Sequence, residues 1–246
     1  MVDLLAVELL KLKRSKMLLL SMIGAGLAPF MVVLAFYINR TSADASGEQA
    51  VFETLFYNTS MYTVLLIGVP LYSIVAAYLF LREYTEDTLK NLLTIPVSRT
   101  GLMISKMLLL LVWILLLSLV AWALTILCGL LGGFDGLSGA LILDYLIKFA
   151  VEGALLWALT TPVILVTIVM KNYVPSMIAA ISITMLNVLV FNSEHRGLVP
   201  WTAAFDITHQ SLLPLYPAEL SYLSIAGVSL VGFASILIYF GKVDIH

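Results

Sequence analysis

The sequence predicts an all-α membrane protein with six transmembrane helices, and three observations predict it. Of 246 residues, 61% are hydrophobic and 11% charged, with a mean hydropathy of +1.05, against about 25% charged residues in an ordinary soluble domain. Apolar stretches near the ~20 residues that cross a ~30 Å hydrocarbon core recur along almost the whole chain. They lack the period-two alternation of barrel strands, and an apolar run in lipid must pair its backbone groups within itself, as a helix does.

Taken in order, residues 1 to 16 come before any span. Val2, Leu5, Ala6, Leu9 and Leu12 share one face of a helix, and Asp3, Glu8, Lys11, Arg14 and Ser15 the other. This predicts an amphipathic helix lying in the membrane interface, with Lys13 and Lys16 snorkelling to the headgroups. The first apolar run is too long for a signal-peptide core, so it is expected to stay in the protein. The six spans are expected at about 17–38, 61–81, 102–131, 149–170, 174–191 and 221–240, all within one transmembrane domain covering 1–246.

Basic residues set the expected orientation. With the N-terminus in the cytoplasm, ten of the 13 Lys and Arg residues lie inside, and Arg40, Lys148 and Arg196 lie outside. That asymmetry predicts a multi-pass protein of the cell membrane with both termini cytoplasmic. The first outer loop, 39–60, reads as polar and mildly acidic with a short helix. The longest outer connection, 192–220, combines Pro200, Pro214 and Pro217 with Trp201, Phe205 and Tyr216, which suits short helices dipping into the outer headgroup region. Cys128 is the one cysteine and falls in the third span, so no disulfide framework exists within one chain.

The most informative stretch is Arg82 to Arg99, an 18-residue polar segment between the second and third spans. Leu89, Leu92, Leu93 and Pro96 recur there at helical spacing, while Glu86, Asp87, Lys90 and Asn91 fall elsewhere on the wheel. Glu83, Glu86 and Asp87 sit at the helix start, where the dipole favours acids, and Glu86 to Lys90 is a favourable i,i+4 pair. Pro96 ends the helix before the turn into the third span. By itself this is a short amphipathic helix at the membrane surface, either a docking element or simply an anchor between two spans.

The surface helix, its acidic start and the TLKNLLTIPVSR run before the third span resemble permease subunits of type-2 ABC exporters, and most of all the bacitracin and lantibiotic self-protection permeases. Span count, orientation, the N-terminal helix and the long fifth connection agree with that pattern. The resemblance implies that Glu83 to Ile95 is a coupling helix on a separate ATPase, with Arg82, Glu83, Glu86, Asp87 and Lys90 as polar contacts and Leu89, Leu92 and Leu93 as its apolar face. It implies two copies of a cytoplasmic ABC ATPase carrying ATP and magnesium, a second permease subunit, identical or related, and an amphiphilic substrate such as a peptide antibiotic. The stretch near Trp201 would be the outer re-entrant element.

No cofactor is expected in this chain, and no nucleic-acid partner; membrane lipid surrounds it. The sequence has no G-x-x-x-x-G-K-[ST], so ATP hydrolysis is expected in another polypeptide and not here. Glu152 is the one acid inside an apparent span. Spacing offers it Lys148 as an i,i+4 partner in the Asp144, Lys148, Glu152 series, and the alternative is a role in substrate passage or gating. Ser182, Thr184 and Asn187 in the fifth span either line a pathway or bond to neighbouring helices. His195 and His209 share a loop with Glu194 and Asp206 but lack the spacing of a zinc site. The glycines at 129, 132, 133 and 136 either let helices approach or end the third span. Two other function classes stay open: a self-sufficient secondary transporter, which should show more charged or broken helices at mid-membrane, and a scaffold or sensor subunit that does not transport.

Overall fold

A computed structural model of the chain describes residues 15–41, 50–85 and 99–242. Of the expected N-terminal amphipathic helix (1–16) and coupling helix (Glu83 to Ile95), residues 1–14 and 86–95 lie outside these residues, and Glu83 to Thr85 continue the helix of the second span. Among the described residues the chain is helical, with an isolated bridge between Val51 and Asp135 and no strand. The elements are α1 (Lys16–Thr41), α2 (Phe52–Tyr62), a wide π-turn (Thr63–Ile67), α3 (Gly68–Thr85), α4 (Arg99–Leu131), α5 (Gly139–Leu159), α6 (Thr161–Met170), α7 (Tyr173–Phe191), a 3-10 turn (Arg196–Leu198), α8 (Pro200–His209) and α9 (Ala218–Lys242).

Six segments are long and apolar enough to cross a membrane: Lys16–Asn39, Phe52–Arg82, Thr100–Leu131, Gly139–Met170, Tyr173–Phe191 and Ala218–Gly241. The second and fourth begin well before the expected Met61 and Phe149. Phe52 to Ser60 is thus no loop helix but the start of span two, with Phe52, Leu55, Phe56, Thr59 and Ser60 all buried. Thr59 and Ser60 are turned into the bundle, and Glu53 and Thr54 are exposed near its start, so the local hydropathy is low.

Span two is the axis of the bundle: 67% of its most apolar stretch is buried, against 22% in spans five and six. α1 packs on α4, α4 on α5, α3 on both α6 and α7, and α9 on α6 and α8. Lipid offers no hydrophobic drive between helices, so shape and interhelical hydrogen bonds must hold them. Trp113 Nε1 of α4 donates to Ser21 Oγ of α1 at 3.1 Å, and Trp157 Nε1 of α5 donates to the Met107 carbonyl of α4 at 2.9 Å. The exposed faces carry Leu, Ile, Val and Met, as on α7 with Ile178, Ile181, Met185 and Leu189.

Two prolines explain the irregular turns. Pro70 has no N–H and its ring crowds the carbonyl one turn back, and the chain widens into the π-turn just before it. Pro162 divides span four into α5 and α6. Spans four and five then connect through Lys171 and Asn172 alone: Lys171 is left-handed (φ 48°), and the Asn172 side chain caps α7 by accepting from the Val174 N–H at 3.0 Å. The glycine cluster both ends α4 and permits close approach. Gly133 and Gly136 adopt positive φ, 63° and 83°, in the turn. Gly129 has no room for a Cβ beside the Phe52 ring and Leu55.

Candidate functional site

At the end of the bundle opposite the 86–98 connection, the stretch from 192 to 217 folds inward as α8. Pro200 starts this helix, where a missing N–H costs nothing, and left-handed Gln210 (φ 53°) stops it. Thr202, Ala203, Ala204, Phe205 and Asp206 are fully buried, the small ones letting α8 pack closely on α5 and α9. A clamp fixes its entry and exit. Arg196 Nε meets Asp206 Oδ2 at 3.0 Å, Arg196 donates to the Ser211 carbonyl at 2.9 Å, and Ser211 Oγ donates to Asp206 Oδ1 at 2.9 Å. Burial pushes the Asp206 carboxyl above its ordinary value, while the Ser211 hydrogen bond and the Arg196 charge pull it back.

This fold carries His209, the last residue of α8, into the bundle beside Glu152 of α5 and Ser60 of α2. Ser60 Oγ donates to Glu152 Oε1 at 2.5 Å and lies 2.8 Å from His209 Nε2, and His209 Nε2 lies 3.1 Å from Glu152 Oε1. Side-chain exposure is 3% for His209 and 2% for Glu152. Rings enclose them: Phe205 stacks on His209 at 4.4 Å between centroids, with Tyr57 at 5.2 Å and Tyr145 at 6.0 Å. Glu152 Oε2 and Thr59 Oγ1 are buried with no hydrogen-bond partner among the described residues.

The expected pairing of Glu152 with Lys148 is therefore corrected. Lys148 Nζ closes on Asp144 at 2.7 Å and lies over the Tyr145 ring at 4.5 Å. Both of these charges face outward, and Glu152, on the inward side of α5, meets His209 instead. The arrangement is not that of a hydrolase triad, in which histidine uses one nitrogen for the acid and the other for the hydroxyl. Here a single nitrogen, Nε2, faces both. Nor do His195 and His209 converge on a metal: His195 Nδ1 pairs with the Tyr216 hydroxyl at 2.9 Å, and among the described residues no group of three or more His, Cys, Asp or Glu side chains can hold a metal ion.

The fifth-span residues divide. Thr184 and Asn187 are buried on one face of α7, Thr184 bonded to the Ala180 carbonyl at 2.9 Å and Asn187 without a hydrogen-bond partner among the described residues for either side-chain atom. Ser182 is exposed on another face and does not join them. At the opposite end of the bundle, Arg82 stands in the last turn of α3. The other expected docking residues, Glu83, Glu86, Asp87, Leu89, Lys90, Leu92 and Leu93, have side chains outside the described residues. Beside that turn lies a residue whose sequence context gave no sign of burial. Lys106 of α4 is 2% exposed, donates to the Leu79 carbonyl at 2.8 Å and sits 5.8 Å from the Phe80 ring centre.

The chain matches the family model described as ABC-2 family transporter protein over residues 4–187. It belongs to the ABC-2 transporter family. It is also 49% identical, over 195 residues, to the bacitracin transport permease protein BCRB of Bacillus licheniformis, covering 79% of this chain and 94% of that one. As an ABC-2 permease, this is a multi-pass transmembrane subunit, and the family implies an ABC ATPase as its partner. Membership sets aside the self-sufficient secondary transporter. Within the ABC-2 chain, the Lys106 tie fixes span three to the end of span two, where the chain leaves the bundle toward residues 86–98. Ser60 and Glu152 lie inside the stretch that matches the family, and sequence distance hid their contact: 92 residues separate that pair and 57 separate Glu152 from His209.

Proposed function

We propose that this permease subunit works in an ATP-driven exporter that removes bacitracin or a similar amphiphilic peptide from the cell membrane and so protects the cell. The observation that carries it is the 49% identity, over 94% of its length, to a permease named for bacitracin transport. The chain sits in the plasma membrane with both termini cytoplasmic, paired with a second permease, identical or related, and with two cytoplasmic ABC ATPases. ATP and magnesium belong to those ATPases. Glu83 to Ile95 forms the coupling helix, with Arg82, Glu83, Glu86, Asp87 and Lys90 as its polar contacts. The buried Lys106 bond to the Leu79 carbonyl supports this reading, because it joins spans two and three one turn before that helix and passes a push on it to both. Glu152, Thr184 and Asn187 serve the substrate path or its gating; the exposure of Ser182 gives it the weakest place in that set.

Tagged protein purified in mild detergent from its host is expected to retain a stoichiometric ABC ATPase and its hydrolysis activity. The double change Glu83→Lys and Asp87→Lys reverses two acidic contacts. It is expected to cost most of that retention and to restore bacitracin sensitivity, with membrane insertion and melting unchanged. Full retention and full resistance in the double variant would remove the coupling role from this segment.

A further inference from the structure

Span two, the most buried helix of the bundle, is tied to different neighbours at its two ends. Its outer arm α2 is bonded to span four and to α8, because Ser60 Oγ donates to Glu152 Oε1 at 2.5 Å and lies 2.8 Å from His209 Nε2. Its inner arm α3 is bonded twice to span three. The Leu79 carbonyl accepts from Lys106 Nζ at 2.8 Å, and the Tyr72 hydroxyl meets Ser118 Oγ at 3.3 Å. Between the two arms lies the π-turn, Thr63–Ile67.

At this turn the helix axis is held by less than the usual ladder. The Gly68 N–H reaches back five residues to the Thr63 carbonyl, where an α-helix would reach back four, and Pro70, two positions on, has no N–H to give. The turn thus holds one residue more than the α-helical rhythm needs. Gly68 permits it, since a Cβ there would fall against the Thr63 oxygen. The surroundings can give way: α1, α7 and the short α8 pack on the turn, and spans one and five bury only 28% and 22% of their most apolar stretch.

We infer that this π-turn is a joint, through which a push at the inner end of α3 swings α2 and carries α8 with it; this rests on the proposed role of Glu83 to Ile95 as the coupling helix. π-turns within α-helices recur where helices bend and where function needs it, and here the joint stands between an arm that leads to the ATPase side and an arm that ends at the outer cluster. An extra residue also has a definite remedy. Deleting Leu66, which is only partly buried, leaves Thr63 four positions before Gly68, so the same carbonyl and N–H close an ordinary α-helical bond. Both arms then keep the faces they present to their neighbours, and the joint is gone.

The joint is read directly on the full chain in lipid nanodiscs. In a Cys128→Ala background, nitroxides at Thr54→Cys on the exposed side of α2 and Val112→Cys on the exposed side of span three report the distance between the outer arm and the helix bonded to the inner arm. The native turn is expected to give a distance distribution at least about twice as broad as the Leu66 deletion or Gly68→Ala, which keeps the full length, while Leu66→Ala stays as broad as native. A native distribution as narrow as both tightened variants, or a Leu66→Ala as narrow as the deletion, would overturn the joint whether or not an ATPase is bound. Melting shows whether the deletion has closed the turn: Gly68→Ala is expected to lower the midpoint by about 3 °C or more in the native chain and not to lower it in the deletion variant. An equal fall in both would overturn the idea of one extra residue. In the host, the deletion variant is expected to retain its ATPase and to lose bacitracin resistance down to the level of cells without the protein. Full resistance, or loss of the ATPase from this variant, would overturn the joint. The coupling helix is judged separately, by whether Glu83→Lys with Asp87→Lys releases the ATPase.

Discussion

Replacing His209 with leucine is expected to lower the stability of the bundle by about 1–3 kcal/mol, the cost of leaving buried polar atoms without their hydrogen-bond partner. The leucine is of similar bulk, so the loss reports the orphaned carboxylate of Glu152 more than lost packing. Adding Glu152→Leu to it should recover most of the loss, because a well-packed apolar pair replaces a buried polar one at little cost. Lys148→Leu, by contrast, removes a partly exposed charge whose partner Asp144 is more than half exposed, and should change stability by about 1 kcal/mol or less. Melting of the variants in one detergent at one pH measures all of these. A His209→Leu protein as stable as wild type, or a double variant no better than the single, would mean that the 3.1 Å contact carries no coupling energy.

Gly68→Ala should destabilise the protein by about 1–3 kcal/mol, against the usual sign for a glycine in a helix. Gly68 follows the π-turn, and a Cβ there would fall against the Thr63 carbonyl oxygen, which is backbone and cannot turn aside, with Leu156 Cδ1 at 3.1 Å. To make room the wide turn must tighten toward α-helical register. That would swing α2 relative to α3 and draw Ser60 away from Glu152. Gly227→Ala in α9 is the matched control: nothing lies within 4 Å of its Cβ position, so the helix gains up to about 1 kcal/mol. Opposite shifts in melting temperature for the two alanines are expected, and shifts of the same sign would count against a turn that depends on glycine.

Six crossings were legible because length and hydropathy are local properties, and lipid leaves no alternative to helices for such runs. The starts of spans two and four were not, because Thr59 and Ser60 are polar and yet face inward, and Asp144 and Lys148 pair with each other on the outside. A hydropathy window sees their polarity and not their direction. Glu152 stood out as an acid in a span, but spacing along one helix can nominate only neighbours on that helix, and its partners come from α2 and α8. The zinc alternative failed for the same reason in reverse: His195 and His209 are close in sequence and are carried to different partners by the turns around α8. The family was legible in the 82–99 stretch, whose details lie mostly outside the described residues.

Helix length has one more consequence, for the lipid. Spans two, three and four run 31–32 residues and span five 19, which at about 1.5 Å per residue is roughly 46–48 Å against about 28 Å. A hydrocarbon layer of about 30 Å fits the fifth span upright, while the longer three must lean or stand out into the headgroups. The spans therefore differ in hydrophobic length, the first and sixth falling between at 24 residues, and membrane thickness itself acts on how steeply the longer helices tilt.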